Sequence, residues 1–238
     1  MRYQESICLA EDQFDEYGNL LPSYVLQLFQ AAADHHADQL GLGFDAMLSR
    51  NLLWVVSQIH YEVCGAASPG QPVLVVTWPL PPARVGFDRE YLIVDAASAS
   101  VLVKGTSRWV LIDTKDRRLA LSAKVYPSDE YCLDRNFEGR LRRLRDFETS
   151  GEAFRICPGE DTIDHNGHVN NTKYAEFALA ALGSAGIGSR IHSFQIDFLH
   201  EVMCHQPLML YHQRTDGQIW VKGLSEDGSR MFECLVEG

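Results

Sequence analysis

The chain has 238 residues, 46% of them hydrophobic and 22% charged, which suits one large or two small globular domains. Its formal net charge of −11 disfavours nucleic acid and anionic membranes as partners. No apolar stretch is long enough to span a membrane, and the N-terminal residues lack the apolar core of a secretory signal. The six cysteines form no C-x-x-C pair, so we expect reduced, mostly buried thiols in a cytoplasmic protein.

The first part of the chain predicts one strand, one helix and four further strands. A strand-like segment covers residues 2–10, and the helix lies within 21–41, with Gly41 as its stop signal. The apolar face of this helix follows helical spacing at Val25, Leu28, Phe29 and Ala32. The four later strands are predicted at 52–63, 72–80, 87–96 and 100–113.

Residues 116–151 form a predicted polar linker. Its basic cluster consists of Arg135, Arg140, Arg142, Arg143 and Arg145. After the linker, the same order of elements returns. A strand at 153–157 leads to a helix from about Asn171, and four strands follow at 191–200, 207–214, 218–225 and 229–237. The apolar face of this second helix is Tyr174, Phe177, Ala178 and Ala181.

The two parts are also similar in sequence. Residues 7–18, ICLAEDQFDEYG, match residues 156–167, ICPGEDTIDHNG, at six of twelve positions with a constant offset of 149. Two shorter matches follow in the same order, QIHYE with QIDFL and QPVLV with QPLML. We therefore predict two copies of one module, at 1–115 and 152–238.

Antiparallel strands wrapped around one central helix form the hot-dog arrangement. The predicted fold class is α+β, with two tandem hot-dog modules whose sheets meet edge to edge, which also protects the edge strands.

The repeat allows the first copy to serve as a control for the second. Residues 15–19 are D-E-Y-G-N, and residues 164–168 are D-H-N-G-H. The shared aspartate and glycine suit a turn. Asn166 and His168 have no counterpart in the first copy, so the turn alone does not explain them. A structural role is the alternative for His168.

The residue types in this second loop suit acyl-group hydrolysis. A helix N-terminus presents free N–H groups and a positive dipole end to a developing oxyanion. A histidine there can orient or relay a proton, and a nearby carboxylate can act as general base on water. Asn170 or Asn171 is predicted to cap the helix. Neither a phosphate-binding glycine loop after a strand nor a G-x-S-x-G element occurs.

The pattern D-x-N-x-H-V-N-N-x-x-Y at residues 164–174 resembles the signature of the acyl-acyl carrier protein thioesterases of plants and bacteria. The likeness extends through the helix and strands of the first copy and covers most of the chain. The resemblance implies a tandem hot-dog thiolester hydrolase that releases fatty acid from acyl carrier protein and needs no cofactor or metal.

The family's catalytic residues carry over to Asp164, Asn166, His168 and, in the segment FLHEV, Glu201. They imply a water-based mechanism. Glu201 acts as general base or positions water, and His168 orients the site and relays the proton. Asn166 holds the thioester or the water, and Asp164 fixes these groups. The alternative for Glu201 is an ordinary charged residue at a strand end.

The chain departs from the family pattern around Glu201. Plant members often have a cysteine directly after this glutamate, whereas this chain has Val202, and the basic pair before it is Leu199-His200. The nearest thiol is Cys204, which in an extended strand would lie about 7 Å further along the same face.

The resemblance assigns the acyl chain to the first copy, where Trp54 is expected to line the tunnel; core packing is the alternative. Arg140, Arg142 and Arg143 are expected to contact the acidic carrier protein, the alternative being a solvated linker. We expect a monomer that is internally a pseudo-dimer, or a homodimer.

Three other functions stay open from the sequence. The substrate could be acyl-CoA, or the protein could bind acyl chains without turnover. A metal site could also be formed by His165, His168 and Glu201.

Overall fold

The computed structural model describes residues 1–122, 125, 130–164, 167–183, 186–188 and 190–238. These residues divide into two compact units. The first comprises Met1–Gln13 and Gln27–Leu141, and the second comprises Phe14–Leu26 and Arg142–Gly238. The predicted module boundaries at residues 115 and 152 stay predictions.

The first unit contains one antiparallel sheet. Its strands are β1 (Tyr3–Cys8), β2 (Leu52–Val63), β3 (Pro72–Pro79), β4 (Gly86–Asp95), β5 (Val101–Asp113) and β6 (Arg118–Leu119). They are ordered β1-β3-β4-β5-β2, and the short β6, within the predicted linker, pairs with β5. Valine, isoleucine and aromatic residues dominate these strands and favour the pleated conformation.

Helix α1 (Pro22–Gln39) has the predicted position, and a short helix α2 (Phe44–Leu48) follows it. A proline at the first helical position suits α1, and Gly41 just beyond its end has a left-handed φ of 67°. Phe29 of α1 stacks on Tyr91 with 4.3 Å between ring centroids. A Cβ atom at Gly105 would overlap the Phe29 ring, so this glycine permits the close approach of helix and sheet.

The second unit repeats this architecture. Its elements are β7 (Phe154–Ile156), α3 (Lys173–Ala180), β8 (Ser193–Phe198), β9 (Leu208–Thr215), β10 (Gln218–Ser225) and β11 (Arg230–Glu237). The strand order is β7-β9-β10-β11-β8. In both units, therefore, the first strand pairs with the third and the second pairs with the fifth. The prediction of α+β hot-dog modules is confirmed.

The two helices bury equivalent positions. The predicted apolar face of each helix is buried, as the periodicity requires. At the offset of 149, the buried residues Val25, Leu26, Leu28 and Phe29 correspond to the buried residues Tyr174, Ala175, Phe177 and Ala178. The sequence repeat therefore continues through the helices without a gap.

The predicted linker is hydrogen-bonded to both units. In the first unit, Asn136 donates its backbone N–H to the buried Glu90 carboxylate at 2.8 Å. In the second unit, Asp146 accepts from the buried Lys222 ammonium at 2.7 Å. Each contact gives a hydrogen-bond partner to a buried ionisable side chain of a strand, Glu90 or Lys222. The polar segment therefore contributes to the structure of both units in addition to connecting them.

Two features bear on the expected compartment. All six cysteines are free, but only Cys234 is buried. The expectation of mostly buried thiols is wrong, because Cys8, Cys64 and Cys157 lie at or just beyond strand ends, where side chains reach solvent. Among the described helices, none has the length and apolar character needed to cross a bilayer.

Candidate active site

The loop before α3 is a tight turn closed by Asp164 and His168. The Asp164 N–H donates to the His168 carbonyl at 2.8 Å, and the His168 N–H donates to Asp164 Oδ1 at 3.3 Å. Gly167 has a left-handed φ of 80° and donates to the Asp164 carbonyl at 3.1 Å. Asn166, predicted to be catalytic, and His165 lie outside the described residues.

The first copy has the same turn without the same side chains. The Asp15 N–H donates to the Asn19 carbonyl at 3.0 Å, and Gly18, with φ of 78°, donates to the Asp15 carbonyl at 3.1 Å. The Asp15 carboxylate accepts both the backbone and the amide N–H of Asn19, each at 2.8 Å. The aspartate and glycine thus determine the backbone of the turn in both copies.

The second turn brings His168 close to Glu201. His168 Nε2 lies 3.4 Å from Glu201 Oε2, with 27% and 39% of the two side chains exposed. Asn19 and Cys64 occupy the corresponding positions of the first copy. The second copy therefore pairs an imidazole and a carboxylate that water can reach, where the first copy has neither.

The segment that carries Glu201 is held by backbone contacts. Strand β8 ends at Phe198, and the residues that follow contact the turn closed by Asp164 and His168. The Val202 carbonyl accepts the Val169 N–H at 2.9 Å, and His168 forms an isolated antiparallel bridge with Met203. These contacts pair the backbone around His168 with the backbone that follows Glu201.

The Tyr174 hydroxyl supplies a further contact, which the sequence did not reveal. It accepts the Val202 N–H at 3.1 Å from the first turn of α3. Burial raises the pKa of Tyr174, and the Glu201 and Asp164 carboxylates add to this shift, so the phenol stays protonated and neutral. The sequence signal that could have identified it is Val25, its aliphatic counterpart in the first copy.

The predicted helix cap differs in detail. Helix α3 begins at Lys173 rather than about Asn171. Asn170 Oδ1 accepts both the N–H and the hydroxyl of Thr172, each at 3.0 Å, and the Asn170 carbonyl accepts the Lys173 N–H. Asn170 therefore stabilises a polar turn before the helix. Residues 170–172 belong to this turn, so the helix begins later than predicted.

The thiol nearest to Glu201 lies in a turn. Val202 is fully buried, so an aliphatic side chain fills the position directly after Glu201. Cys204 does not lie in an extended strand, because β8 has already ended and Gln206 donates its N–H to the Met203 carbonyl to close a turn. In the described part of the chain, no group of three or more His, Cys, Asp or Glu residues could hold a metal ion.

Trp54 lines an apolar pocket of the first unit. The indole N–H donates to the Leu42 carbonyl at 3.2 Å, and the ring meets Phe87 edge to face at 5.1 Å. The pocket holds about 360 Å³ of empty volume, which includes its open mouth. Arg89 also lines it, and its guanidinium bonds His36 at 3.1 Å. The pocket wall is thus mostly apolar, with Arg89 and Asp34 as its charged residues.

The three predicted carrier-protein contacts are exposed arginines. Arg140 lines a groove of the first unit together with Arg108 and Arg135. Arg142 and Arg143 belong to the second unit, where the Arg142 carbonyl accepts the Gln195 amide at 2.8 Å. The backbone of Arg142 is therefore held while its side chain reaches solvent.

Sequence comparisons identify relatives of this chain. A sequence model described as the acyl-ACP thioesterase N-terminal domain matches residues 1–126, more than half of the chain. An acyl-[acyl-carrier-protein] hydrolase of Cuphea viscosissima is 30% identical over 175 residues, which cover 66% of this chain and 41% of that protein. A dodecanoyl-[acyl-carrier-protein] hydrolase of Umbellularia californica is 27% identical and covers 74% and 50%. The chain spans about half the length of the curated relatives it matches.

Solved structures are similar over nearly the whole chain. An acyl-ACP thioesterase from Bacteroides thetaiotaomicron superposes with a TM-score of 0.89 at 19% identity, covering 99% of this chain and 97% of that one. The 12:0-ACP thioesterase from Umbellularia californica superposes with a TM-score of 0.84 at 22% identity, covering 99% and 96%. At these identities, the similarity shows the tandem hot-dog fold.

Proposed function

Because the chain belongs to the acyl-ACP thioesterase family, we propose that it hydrolyses the thioester of a fatty acyl-acyl carrier protein and releases the free fatty acid. The observation that carries the proposal is the 3.4 Å contact between Glu201 and His168 of the loop that precedes α3. This pair is present in the second copy and missing from the equivalent turn of the first, so folding of the module does not require it.

The proposed mechanism uses water as the nucleophile. Glu201 takes a proton from water, or positions it, as the C–O bond forms at the thioester carbonyl. His168 orients the water and relays the proton to the sulfur as the C–S bond breaks. Asn166 holds the carbonyl or the water. Asp164 contributes by fixing the turn, since its Oδ1 accepts the His168 N–H.

The acyl chain is proposed to enter the pocket that Trp54 lines. Apolar walls favour an alkyl chain, because burying each methylene contributes about 0.8 kcal/mol. The aromatic walls, Ala37 of α1 and Leu40 just beyond the end of this helix support this assignment. Shortening Trp54 to alanine should change the preferred acyl length more than the overall rate, which a profile of carrier-bound acyl chains would measure.

Arg140, Arg142 and Arg143 are proposed to contact the acidic carrier protein. The proposal is supported by the local positive charge of these arginines, which could attract an acidic partner although the chain has a net charge of −11. The triple alanine variant should raise KM for acyl carrier protein by roughly tenfold, because rim charges act mainly on encounter. Its KM for the matching acyl-pantetheine should stay close to wild type; an equal rise for both substrates would remove these arginines from the proposal.

The test of the function compares matched acyl chains on carrier protein and on CoA, with thiol release as readout. We expect a clear preference for the carrier-protein substrate, unaffected by chelators. Preference for CoA would identify an acyl-CoA thioesterase instead. Acyl binding with no thiol release from any thioester would identify an acyl-binding protein.

Two further parts of the proposal concern assembly and location. A monomeric pseudo-dimer or a homodimer follows from two modules in one chain, and sedimentation would distinguish them. A cytoplasmic location is supported by the six free cysteines, which suit a reducing compartment.

A further inference from the structure

The two copies differ at a buried position of their helices as well as in their loops. Tyr174 in α3 corresponds to Val25 in α1. Both are buried, with 3% and 1% of the residue exposed, so the helix face does not need a phenol at this position. In the second copy, the Tyr174 hydroxyl lies 3.1 Å from the amide nitrogen of Val202, the residue after Glu201. The hydroxyl that only the second copy has therefore contacts the backbone next to Glu201 in the candidate active site.

We propose that Tyr174 is a positioning residue that holds Glu201 against His168. This inference rests on the proposed catalytic roles of His168 and Glu201. Val202 is held from two sides, because its N–H donates to Tyr174 and its carbonyl accepts the Val169 N–H at 2.9 Å. The second bond ties the backbone beside Glu201 to the backbone beside His168. The first fixes the plane of the peptide between Glu201 and Val202.

Packing around the Tyr174 ring restricts the position of its hydroxyl. The ring meets Phe198 at 87° and Phe232 at 90°, with centroid separations of 5.4 and 5.3 Å. These edge-to-face contacts leave the ring little freedom to move. Without the hydroxyl, the Val202 N–H would lose its partner in a buried setting, and the peptide would turn to find another. That rotation would move the Glu201 carboxylate away from His168 Nε2.

The test replaces Tyr174 with phenylalanine, which keeps the ring and removes only the hydroxyl. We expect kcat on the acyl thioester to fall by about 10-fold to 100-fold with KM nearly unchanged, since a misplacement of about 1 Å can cost about 10²-fold in rate. The matched control is Tyr91→Phe, which removes another buried hydroxyl, bonded to Ser107 at 2.9 Å in the first unit. This control should keep kcat near wild type. A folded Tyr174→Phe protein with wild-type kcat would overturn the inference.

Kinetics of Glu201→Gln alone and together with Tyr174→Phe distinguish a failure of this inference from a failure of the proposed function. If Glu201→Gln alone keeps normal hydrolysis, the catalytic assignment of Glu201 fails and this inference fails with it. If that variant is impaired, Tyr174→Phe should add no further loss, because Tyr174 acts through Glu201. An additional loss of the same factor would show an independent role and refute the inference. A crystal structure of Tyr174→Phe should show the His168–Glu201 separation lengthened beyond 3.4 Å, and an unchanged separation would also refute it.

Discussion

At the scale of single residues, the same aspartate closes a turn in both copies, but the residues beside it differ. Asp15 and Asp164 close the same turn through backbone N–H groups. Only the second turn continues into a histidine paired with a carboxylate. Position in the turn alone therefore does not distinguish the two aspartates; the proposed catalytic role of Asp164 rests on its neighbours in the second copy.

Removing either partner of the pair should abolish most hydrolysis. We expect His168→Ala and Glu201→Ala each to lower kcat by about 10²–10⁴-fold, the usual contribution of a positioned acid or base. Steady-state kinetics on acyl carrier protein would measure the loss. His212→Ala removes an exposed histidine of β9 and should leave kcat unchanged. Near-normal hydrolysis by both site variants would disprove the assignment.

The two aspartates allow scaffold and chemistry to be separated. Asp15→Ala and Asp164→Ala should each lower the free energy of unfolding by about 1–3 kcal/mol, because each removes hydrogen bonds to a charged group. Only Asp164→Ala should also reduce kcat beyond what a small loss of stability explains. Denaturant unfolding and kinetics on the same preparations would decide. Equal, wild-type kcat in both variants would make Asp164 a turn residue alone.

At the scale of elements, α1 carries a buried histidine against β4. Burial lowers the pKa of His36 from 6.5 to about 4, and the Arg89 guanidinium adds to this shift. Arg89 Nη1 donates to His36 Nδ1 at 3.1 Å, which requires the neutral imidazole as acceptor. The helix therefore packs on this sheet with an uncharged His36.

This burial predicts a loss of stability in acid. The folded state holds His36 unprotonated, whereas the unfolded state binds a proton below pH 6.5. Neutral His36 therefore imposes no loss in the free energy of unfolding above about pH 6.5. As the pH falls from about 6.5 towards about 4, the free energy of unfolding decreases by roughly 3 kcal/mol in all. Unfolding titrations should show a smaller pH dependence in His36→Asn. The control His212→Asn, at an exposed position of β9, should keep the wild-type slope, and an unchanged slope in His36→Asn would contradict the prediction.

Sequence patterns located the long elements because each has enough residues to show helical spacing or β-rich composition. Strands β2 and β10 coincide with their predicted ranges. Helix α2 and strand β6 were missed, since five and two residues are too short for a period and depend on tertiary contacts, as the buried Met47 of α2 illustrates. In the site, the repeat singled out His168. It could not show that the Tyr174 hydroxyl reaches Val202, because that contact joins a helix to a distant loop.

At the scale of the whole molecule, the segment between the copies contributes to the stability of each unit. Asn136 donates its amide to the Tyr91 and Gly105 carbonyls at 2.8 and 3.0 Å. Asp146 accepts from Lys222, and this contact holds the pKa of Asp146 below its usual range. Only 5% of the Lys222 side chain is exposed, so its charge depends on the linker for compensation.

Loss of this compensation should destabilise the protein. Asp146→Ala should lower the free energy of unfolding by about 1–3 kcal/mol, because it removes the carboxylate partner of a buried ammonium group. Chemical denaturation would measure the change. Glu148→Ala, at an exposed position two residues further along, should change it by less than about 0.5 kcal/mol. Equal effects of the two substitutions would argue against a structural linker.

The first-copy turn has a consequence for stoichiometry. Asn19 Oδ1 accepts the Ile191 N–H at 2.8 Å, so its amide completes a hydrogen bond of the second unit. Two identical modules related by symmetry would each carry a reactive loop. Here the two loops differ, and Asn19 of the first-copy loop makes a structural hydrogen bond. A covalent inhibitor directed at the proposed active-site loop should therefore saturate at one molecule per chain rather than one per module.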